Sequence, residues 1–555
     1  MFSQATTDGR LTLTVTFKIG TNADLAQQMV QNRVSQALPR LPDVTRQRGV
    51  TVVKSSPDLT MVVHLVSPDK SYDELYLRNY ALMNVKDELA KIQGVGLVRL
   101  FGSGDYAMRI WLNPEKIAEK NLTANDVANA IREQNVQVAA GIVGGAPTSS
   151  AIEVQMPVNA KGRLDNPEEF GESIIRAGTT GEITRLKDVA RIEMGPSEYS
   201  LDSMLDSQPA VAIPIFQAPG ANAIQISDAV RKTMAELKER FPAGVDYHVV
   251  YDPTIFVKSS IKAVIKTLLE ALGLVVIVVI LFLQTWRASI IPLLAVPVSI
   301  VGTCALMWAF GFSINTLSLF GLVLAIGIVV DDAIVVVEAV IHHLEHGLGP
   351  REATFKAMEE VSAPVIGIAL ILSAVFIPVA LLGGLVGSMY KQFALTIAIS
   401  VLLSAFNALS LTPALCAMLL KAPKPMRGPL GAFFRGFNKT FEVTTNKYVN
   451  ASRLLVRRGS LTIALIVVVI FGAGLLGKIL PAGFIPDEDQ GILGVSIQLP
   501  NGAALERTSV VLKKVEDILS KVEAIDSFQT IGGYGAVTNT YQSNYGTIFS
   551  RMKPW

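Results

Sequence analysis

Apolar and polar positions along the chain follow three rhythms. Over residues 1–257 short alternating stretches are interleaved with apolar residues at helical spacing. Over 261–480 the apolar positions fuse into long runs, and from 481 the mixed rhythm returns. The first stretch predicts strand Leu11–Ile19, helix Ala23–Leu41 and strand Gly49–Ser56. It continues with strand Leu59–Ser67, helix Tyr72–Gln93 and strands Val95–Phe101 and Tyr106–Leu112. A helix with Thr123 as its N-cap follows. From about 133 to 195 the pattern weakens around the glycine-rich stretch Gly141–Pro147, which predicts an inserted, loop-rich subdomain with a projecting arm.

One unit recurs. Leu11–Leu41 reads strand, Gly20-Thr21-Asn22-Ala23, helix; Val211–Phe241 reads strand, Gly220-Ala221-Asn222-Ala223, helix. Leu493–Val522 repeats it through Asn501-Gly502-Ala503-Ala504. Small residues suit a tight strand-to-helix turn, and three occurrences imply duplicated α+β subdomains.

The middle block predicts six membrane spans: Ile261–Leu283, Ser289–Phe310, Ile314–Ile341, Pro364–Leu382, Phe393–Leu420 and Leu461–Leu480. A break at Val361–Ser362 and short loops set their antiparallel order. The link 421–459 carries nine basic residues against the single acid Glu442, so the positive-inside rule makes it cytoplasmic. Arg287 then lies inside, and 311–313 and 383–390 outside. Within the link, Phe433–Leu455 is amphipathic and suits the inner membrane surface. Both flanking blocks face outward. Met1–Arg10 lacks an apolar signal segment, so 1–257 would need a preceding span, and the chain stops after little of a third unit. The expectation is a fragment truncated at both ends.

The candidate chemistry sits in the third span. Seventeen residues, Ile314–Val330, pass without a charge before Asp331 and Asp332, and Ala333–Val337 resume the apolar run. At membrane depth each carboxylate costs about 2.5–3.5 kcal/mol on insertion scales. A structural ion pair is the bland alternative. The functional reading is a proton relay, because adjacent carboxylates in low polarity resist holding two negative charges at once and can load and release a proton. Gly321 with Ala325, and Gly327 with Asp331, lie four apart, which lets a neighbouring helix approach closely. Glu270 and Glu338 read as interfacial structural groups. Adjacent residues are about 100° apart around a helix, so the pair does not face itself as an aspartyl-protease dyad does. The chain reads as a transporter, not an enzyme.

Composition narrows this further. Half of the 555 residues are hydrophobic, and the net charge of +2 argues against nucleic acid. Cys304 and Cys416 both lie in apolar runs, so no disulfide scaffold or structural metal site is expected, and the five histidines form no ligand pattern.

The segment 321–338, GLVLAIGIVVDDAIVVVE, resembles the fourth membrane helix of the resistance–nodulation–division superfamily. FGFSIN (310–315), LTPALCAMLLK (411–421), FIPDEDQG (484–491) and LFGSGDYAMRIWLNPEK (100–116) resemble its hydrophobe/amphiphile efflux branch. The likeness runs over essentially the whole chain, which matches about half of a full-length member. It implies a proton-driven homotrimer in the bacterial inner membrane, without a cofactor, exporting small amphiphilic substrates with a periplasmic adaptor protein and an outer-membrane channel protein. The relay aspartates match Asp331 and Asp332; further relay groups lie on helices outside this sequence.

The resemblance also implies an α+β membrane protein: a helix bundle with periplasmic porter subdomains of βαβ, ferredoxin-like type and an inserted docking subdomain. In those terms 1–58 is part of the first porter subdomain, and 59–105 with 196–257 is the second. Residues 106–195 are the docking subdomain, with an intersubunit arm near 133–160. Residues 258–420 hold five spans, 421–459 the cytoplasmic link, 460–480 a sixth span, and 481–555 begin a third porter subdomain. The implied drug pocket takes Phe101, Leu201, Tyr251, Phe549 and Tyr534, with Leu59 where the family has phenylalanine and Gly532–Gly535 as a dividing loop. Phe528, Tyr541 and Tyr545 are further aromatic candidates there. Alternatives are an exporter of metal or lipid in the same superfamily, or an inactive half-pump scaffold.

Overall fold

The computed structural model describes all residues except 7–8, 19, 55, 57–58, 148–153, 160, 179–180, 422–428, 481–488 and 554–555. The chain divides into two compact units, Met1–Thr254 with Asp489–Trp555, and Ile255–Glu488. Residues 484–488 of the 484–491 motif and part of the 133–160 arm and of the 421–459 link fall outside the described residues.

The first unit is built on an eight-stranded sheet. Its strands are β1 (Leu59–Val66), β2 (Val95–Val98), β3 (Asp202–Leu205), β4 (Gln208–Gln217), β5 (Asp246–Tyr251), β6 (Ile492–Gln498), β7 (Ile525–Gly535) and β8 (Thr540–Met552). The order is β5-β1-β4-β3-β7-β8-β6, with β2 also on β4. Short β3 is the joint: it pairs Met204 with Pro209 of β4 and Asp202 with Gly532 of β7. The β3–β4 turn places Asp206 and Ser207 at φ 48° and 60°, as a two-residue hairpin with right-handed strand twist demands. The Asp206 side chain also accepts the backbone N–H of Phe528 at 2.9 Å. Alternation along β1 sends Met61, Val63 and Leu65 to one face, where they pack on Leu77, Val85, Leu89, Ile226, Val230 and Met234 from the covering helices. Val62 and Val66 point to the other face.

The recurrent unit keeps a left-handed glycine at each turn, with φ 90° at Gly20, 78° at Gly220 and 83° at Gly502. Asn22 and Asn222 cap helices Ala23–Ala37 and Ala223–Lys238 through their side chains. The third copy differs. Its helix, Leu505–Leu519, starts after Ala504 with no side-chain cap, because asparagine precedes the glycine there instead of following it. Thr123 caps Ala124–Gln134 in a reciprocal box with Asp126. Gly49–Ser56 forms no strand among its described residues, and the first strand ends at Thr14. Alternation signals a strand only where a partner edge is available.

The second unit is helical: α1 (Thr254–Leu283), α2 (Trp286–Ala309), α3 (Thr316–Glu345), α4 (Pro350–Ala380), α5 (Gly384–Leu409), α6 (Leu411–Leu419), α7 (Pro429–Arg457) and α8 (Gly459–Ile479). Among the described residues six helices are long and apolar enough to cross a membrane, the fifth running through α5 and α6. Several boundaries correct the expected ones: α1 begins at Thr254 and α5 at Gly384, so most of 383–390 is helix. The fourth helix starts at Pro350, and Val361–Ser362 lie inside it, since Pro364 bends a helix without ending it when neighbours support it. The fifth breaks at Ser410. Helix α3 and the α5–α6 span are the most buried of these helices, whereas α8 is exposed along its length. Helix α3 packs on α2, α4 and α5.

Candidate functional site

The two aspartates of α3 part company in three dimensions. One residue apart on a helix, they point about 100° from each other. Asp332 is only 6% exposed and faces α5, where Ser404 donates from Oγ to its Oδ2 at 2.6 Å. The same hydroxyl lies 3.1 Å from the carbonyl oxygen of Val329. Asp331 lies on the outer face of this unit. Asn315 caps α3 with Ser318 and donates to Gln392 Oε1 at 2.5 Å, so α3 is pinned to α5 near its start.

Small residues set the spacing between these helices. A Cβ on Gly321 would meet Phe393 O at 3.3 Å and Thr396 Cβ at 3.4 Å, so α5 passes against its backbone. Ala325 is buried one turn further along. Gly327 has nothing within 4 Å and faces outward with Asp331. Glu270 stands on α1 with Lys266 3.7 Å away, and Glu338 is exposed on α3.

A polar seam runs from Asp332 through the bundle, and the sequence reading missed it. Thr396, Ser400, Ser404 and Asn407 of α5 are all buried, as are Ser299 and Thr303 of α2. Thr303 and Ser400 share a hydrogen bond of 3.0 Å, and Asn407 Nδ2 donates to Ser299 Oγ at 2.8 Å. Spacings of four, four and three put the α5 groups on one helix face. That periodicity was the available signal, hidden because single hydroxyls scarcely lower the hydropathy of a span.

In the first unit, Phe101, Leu201, Val62, Ala212 and Ile531 form one buried cluster, with Leu59, Tyr251, Tyr534 and Tyr541 partly buried against it. Phe101 bridges to Ala212 by two backbone hydrogen bonds. Ring centroids stand 5.0 Å apart for Phe101–Tyr534, 6.2 Å for Phe101–Tyr541 and 5.3 Å for Tyr534–Tyr541. Burial, reinforced by Tyr541 and opposed by nearby Arg99, pushes the Tyr534 phenol up to about 12. Gly533 adopts φ 81°, and a Cβ there would fall 1.9 Å from Ser200 O, so the β7 backbone lies against the Leu201 segment. Phe549 is not in this cluster; it is half-buried on β8, opposite Gly494 and Gln529. Phe528 packs in a separate core with Leu512 and Ile548. Tyr545 lies beside Gly535.

The chain is 42% identical over 560 residues to the multidrug resistance protein MdtF of Escherichia coli strain K12, covering 100% of this chain and 54% of that protein. It is 43% identical over 561 residues to the multidrug export protein AcrF of the same strain, again covering 100% and 54%. To the toluene efflux pump membrane transporter TtgB of Pseudomonas putida it is 40% identical over 558 residues, covering 100% and 53%. The chain thus spans about half the length of the curated relatives it matches. Six apolar helices among the described residues and efflux-permease relatives make it a multi-pass inner-membrane protein with large periplasmic domains. From residue 1 to residue 555 the sequence matches the AcrB/AcrD/AcrF family, and the chain belongs to that family of resistance–nodulation–division multidrug efflux permeases.

Proposed function

We propose that this protein carries out proton-driven export of amphiphilic drugs and solvents, with Asp331 and Asp332 as proton carriers. The observation that carries the reading is a buried Asp332 hydrogen-bonded to Ser404 inside a membrane-spanning bundle. A carboxylate in that setting is costly unless its charge is used or neutralised, and a hydroxyl partner serves both protonation states: it donates to the carboxylate and accepts from the acid. The polar seam along α5 offers hydroxyls for passing a proton onward. Gly321 and Ala325 keep α5 close enough for that exchange, while Asp331 and Gly327 present a face for a further helix.

Substrates in this reading enter the aromatic cleft of Phe101, Leu201, Tyr251 and Tyr534, with Phe549 further along β8. Aromatic faces beside glycine give an apolar wall that adapts to many shapes. The relatives' names, multidrug resistance protein and toluene efflux pump, fit apolar and amphiphilic cargo. The segments 59–105 and 196–257 act as one ferredoxin-like porter subdomain, 106–195 as the docking part, and 1–58 and 481–555 as portions of two others. The working assembly is a homotrimer joined to a periplasmic adaptor and an outer-membrane channel, driven by the proton gradient without a cofactor.

The test is export by the full-length protein in cells stripped of their own pumps. Asp332→Asn keeps a hydrogen-bonding side chain but removes the exchangeable proton. Expected is loss of resistance to every compound, with expression and assembly at wild-type level. Normal resistance from Asp332→Asn would end the relay reading.

A further inference from the structure

A cleft of about 350 Å³ opens in the first unit beside the aromatic cluster. Four cations line it: Arg10, Arg78, Lys86 and Arg99. One acid, Glu198, faces them. The rest of the lining mixes Thr12 and two glycines with Val98, Leu100, Leu201 and Tyr541, and the last two belong to the aromatic cluster as well. The two sites are therefore continuous through shared side chains.

The charges in this cleft do not balance. Arg10 pairs with Glu198 at 2.5 Å, its guanidinium 4.6 Å from the Tyr541 ring centroid. Arg78 is held by Asp105 at 3.3 Å and by the carbonyl oxygen of Leu100 at 3.0 Å. Glu198 and Asp105 are thereby used. Lys86 and Arg99 are half-buried and have no carboxylate in ion-pair reach among the described residues. Arg99 rests 5.5 Å from the Phe216 ring centroid and is near enough to Tyr534 to act on its phenol. Partly desolvated cations without counterions gain from an incoming anion, because each has already lost hydration. Low-dielectric walls of leucine, valine and tyrosine strengthen that attraction over the same charges in open water.

We infer that this cleft is a binding subsite for anionic amphiphiles: Lys86 and Arg99 hold a carboxylate or sulfonate head, and Tyr541 and Leu201 carry the apolar body toward Phe101 and Tyr534. The inference deepens the export reading above and rests on its aromatic cleft. It predicts a selectivity that aromatic walls alone do not give, since they accept neutral and charged compounds by apolar surface. The cations discriminate by head-group charge and with a salt dependence.

The test uses two probes with one shared scaffold, anionic anilinonaphthalene sulfonate and neutral phenylnaphthylamine. Binding is read by fluorescence on the full-length protein in lipid nanodiscs, against empty nanodiscs. Expected for the double variant Lys86→Gln with Arg99→Gln is about tenfold weaker sulfonate binding, roughly 1.4 kcal/mol. The neutral probe should stay within about twofold, which also reports that the variant is folded. Lys86→Arg with Arg99→Lys should retain the sulfonate, and high salt should weaken it in the wild type and in this swap but not in the double glutamine variant. Phe101→Ala separates the two readings by weakening both probes. If Phe101→Ala does so while charge removal leaves the sulfonate unchanged, the anionic subsite is overturned and the aromatic cleft stands. If charge removal weakens the sulfonate while Phe101→Ala affects neither probe, the subsite stands and the aromatic cleft falls.

Discussion

His64 and Glu74 are buried ionisable groups near the sheet joint, and they pull the stability of the first unit in opposite directions with pH. His64, on β1 between Ala212 and His248 of the flanking strands, is fully buried with neither ring nitrogen hydrogen-bonded. Burial drives it down to about 3; nearby Gln529 favours the proton and His248 opposes it. Glu74 lies at the start of helix Glu74–Tyr80 and accepts the Ser103 N–H at 2.7 Å. Burial lifts it to about 8, against that hydrogen bond, with Asp202 raising it further and Arg78 lowering it. Between about 3 and 6.5 the unfolded histidine binds a proton that the folded one does not, so His64 costs stability as pH falls. Between 4.5 and about 8 the folded glutamate keeps a proton that the unfolded one has lost, so Glu74 costs stability as pH rises. Each slope is limited to about 1.4 kcal/mol per pH unit. Thermal unfolding across that range should show Glu74→Gln gaining on the wild type as pH climbs from 4.5 toward 8. His64→Gln should gain as pH falls below 6.5. A variant-to-wild-type difference that ignores pH would contradict either assignment. Ser404 belongs to the same scale: Ser404→Ala strips the hydroxyl from Asp332 and should destabilise the bundle by roughly 0.6–1.7 kcal/mol, with Ser404→Thr restoring most of it.

Helices α3 and α5 meet at Gly321, whose absent side chain leaves room for Phe393 O and Thr396. Gly321→Leu therefore needs the helices to separate, which also lengthens the Ser404–Asp332 contact, whereas Gly327→Ala meets nothing within 4 Å. Detergent-solubilised Gly321→Leu should unfold well below the wild type and Gly327→Ala near it; equal midpoints would show that the approach is not stabilising. Both glycines had the same sequence signature, small residues four apart, and only three-dimensional packing separates them. That is the general boundary of what the sequence disclosed. Span number, the Asp pair and the repeated strand–turn–helix were legible because hydropathy and left-handed glycines are local properties. The start of α4 at Pro350 was not, since a helix crossing an interface loses its apolar pattern at the amphipathic end. Strand β3 was invisible as well: four residues form a strand only because β4 and β7, far apart in sequence, arrive on either side. The aromatic cluster divides similarly. Phe101, Leu201, Tyr251 and Tyr534 converge through that joint, while Phe549, on the next strand, is carried elsewhere by sheet register.

For the molecule as a whole, the proposed export would couple two kinds of site, and they should fail differently when altered. A proton carrier acts on every transport cycle whatever the cargo, so losing it removes the driving free energy for all compounds alike. A cleft wall contributes differential affinity, so altering it changes the ranking of compounds and leaves the driving force intact. Phe101 is 7% exposed and within ring contact of Tyr534 and Tyr541, so Phe101→Ala removes one aromatic face from a wall that keeps two. Loss of a buried phenylalanine costs about 3–5 kcal/mol of folding stability, which the expression level must be checked against. With expression matched, Phe101→Ala should lower resistance to bulky aromatic compounds several-fold and leave small solvents near wild type. Its resistance should collapse with a protonophore just as the wild type's does. The double variant with Asp332→Asn should then be as inactive as Asp332→Asn alone, since selectivity cannot be expressed without a driving gradient. A uniform drop across the compound panel for Phe101→Ala would mean that Phe101 supports the fold or the conformational cycle and not cargo choice. Residual, compound-specific export in Asp332→Asn would mean that the energy enters somewhere other than α3.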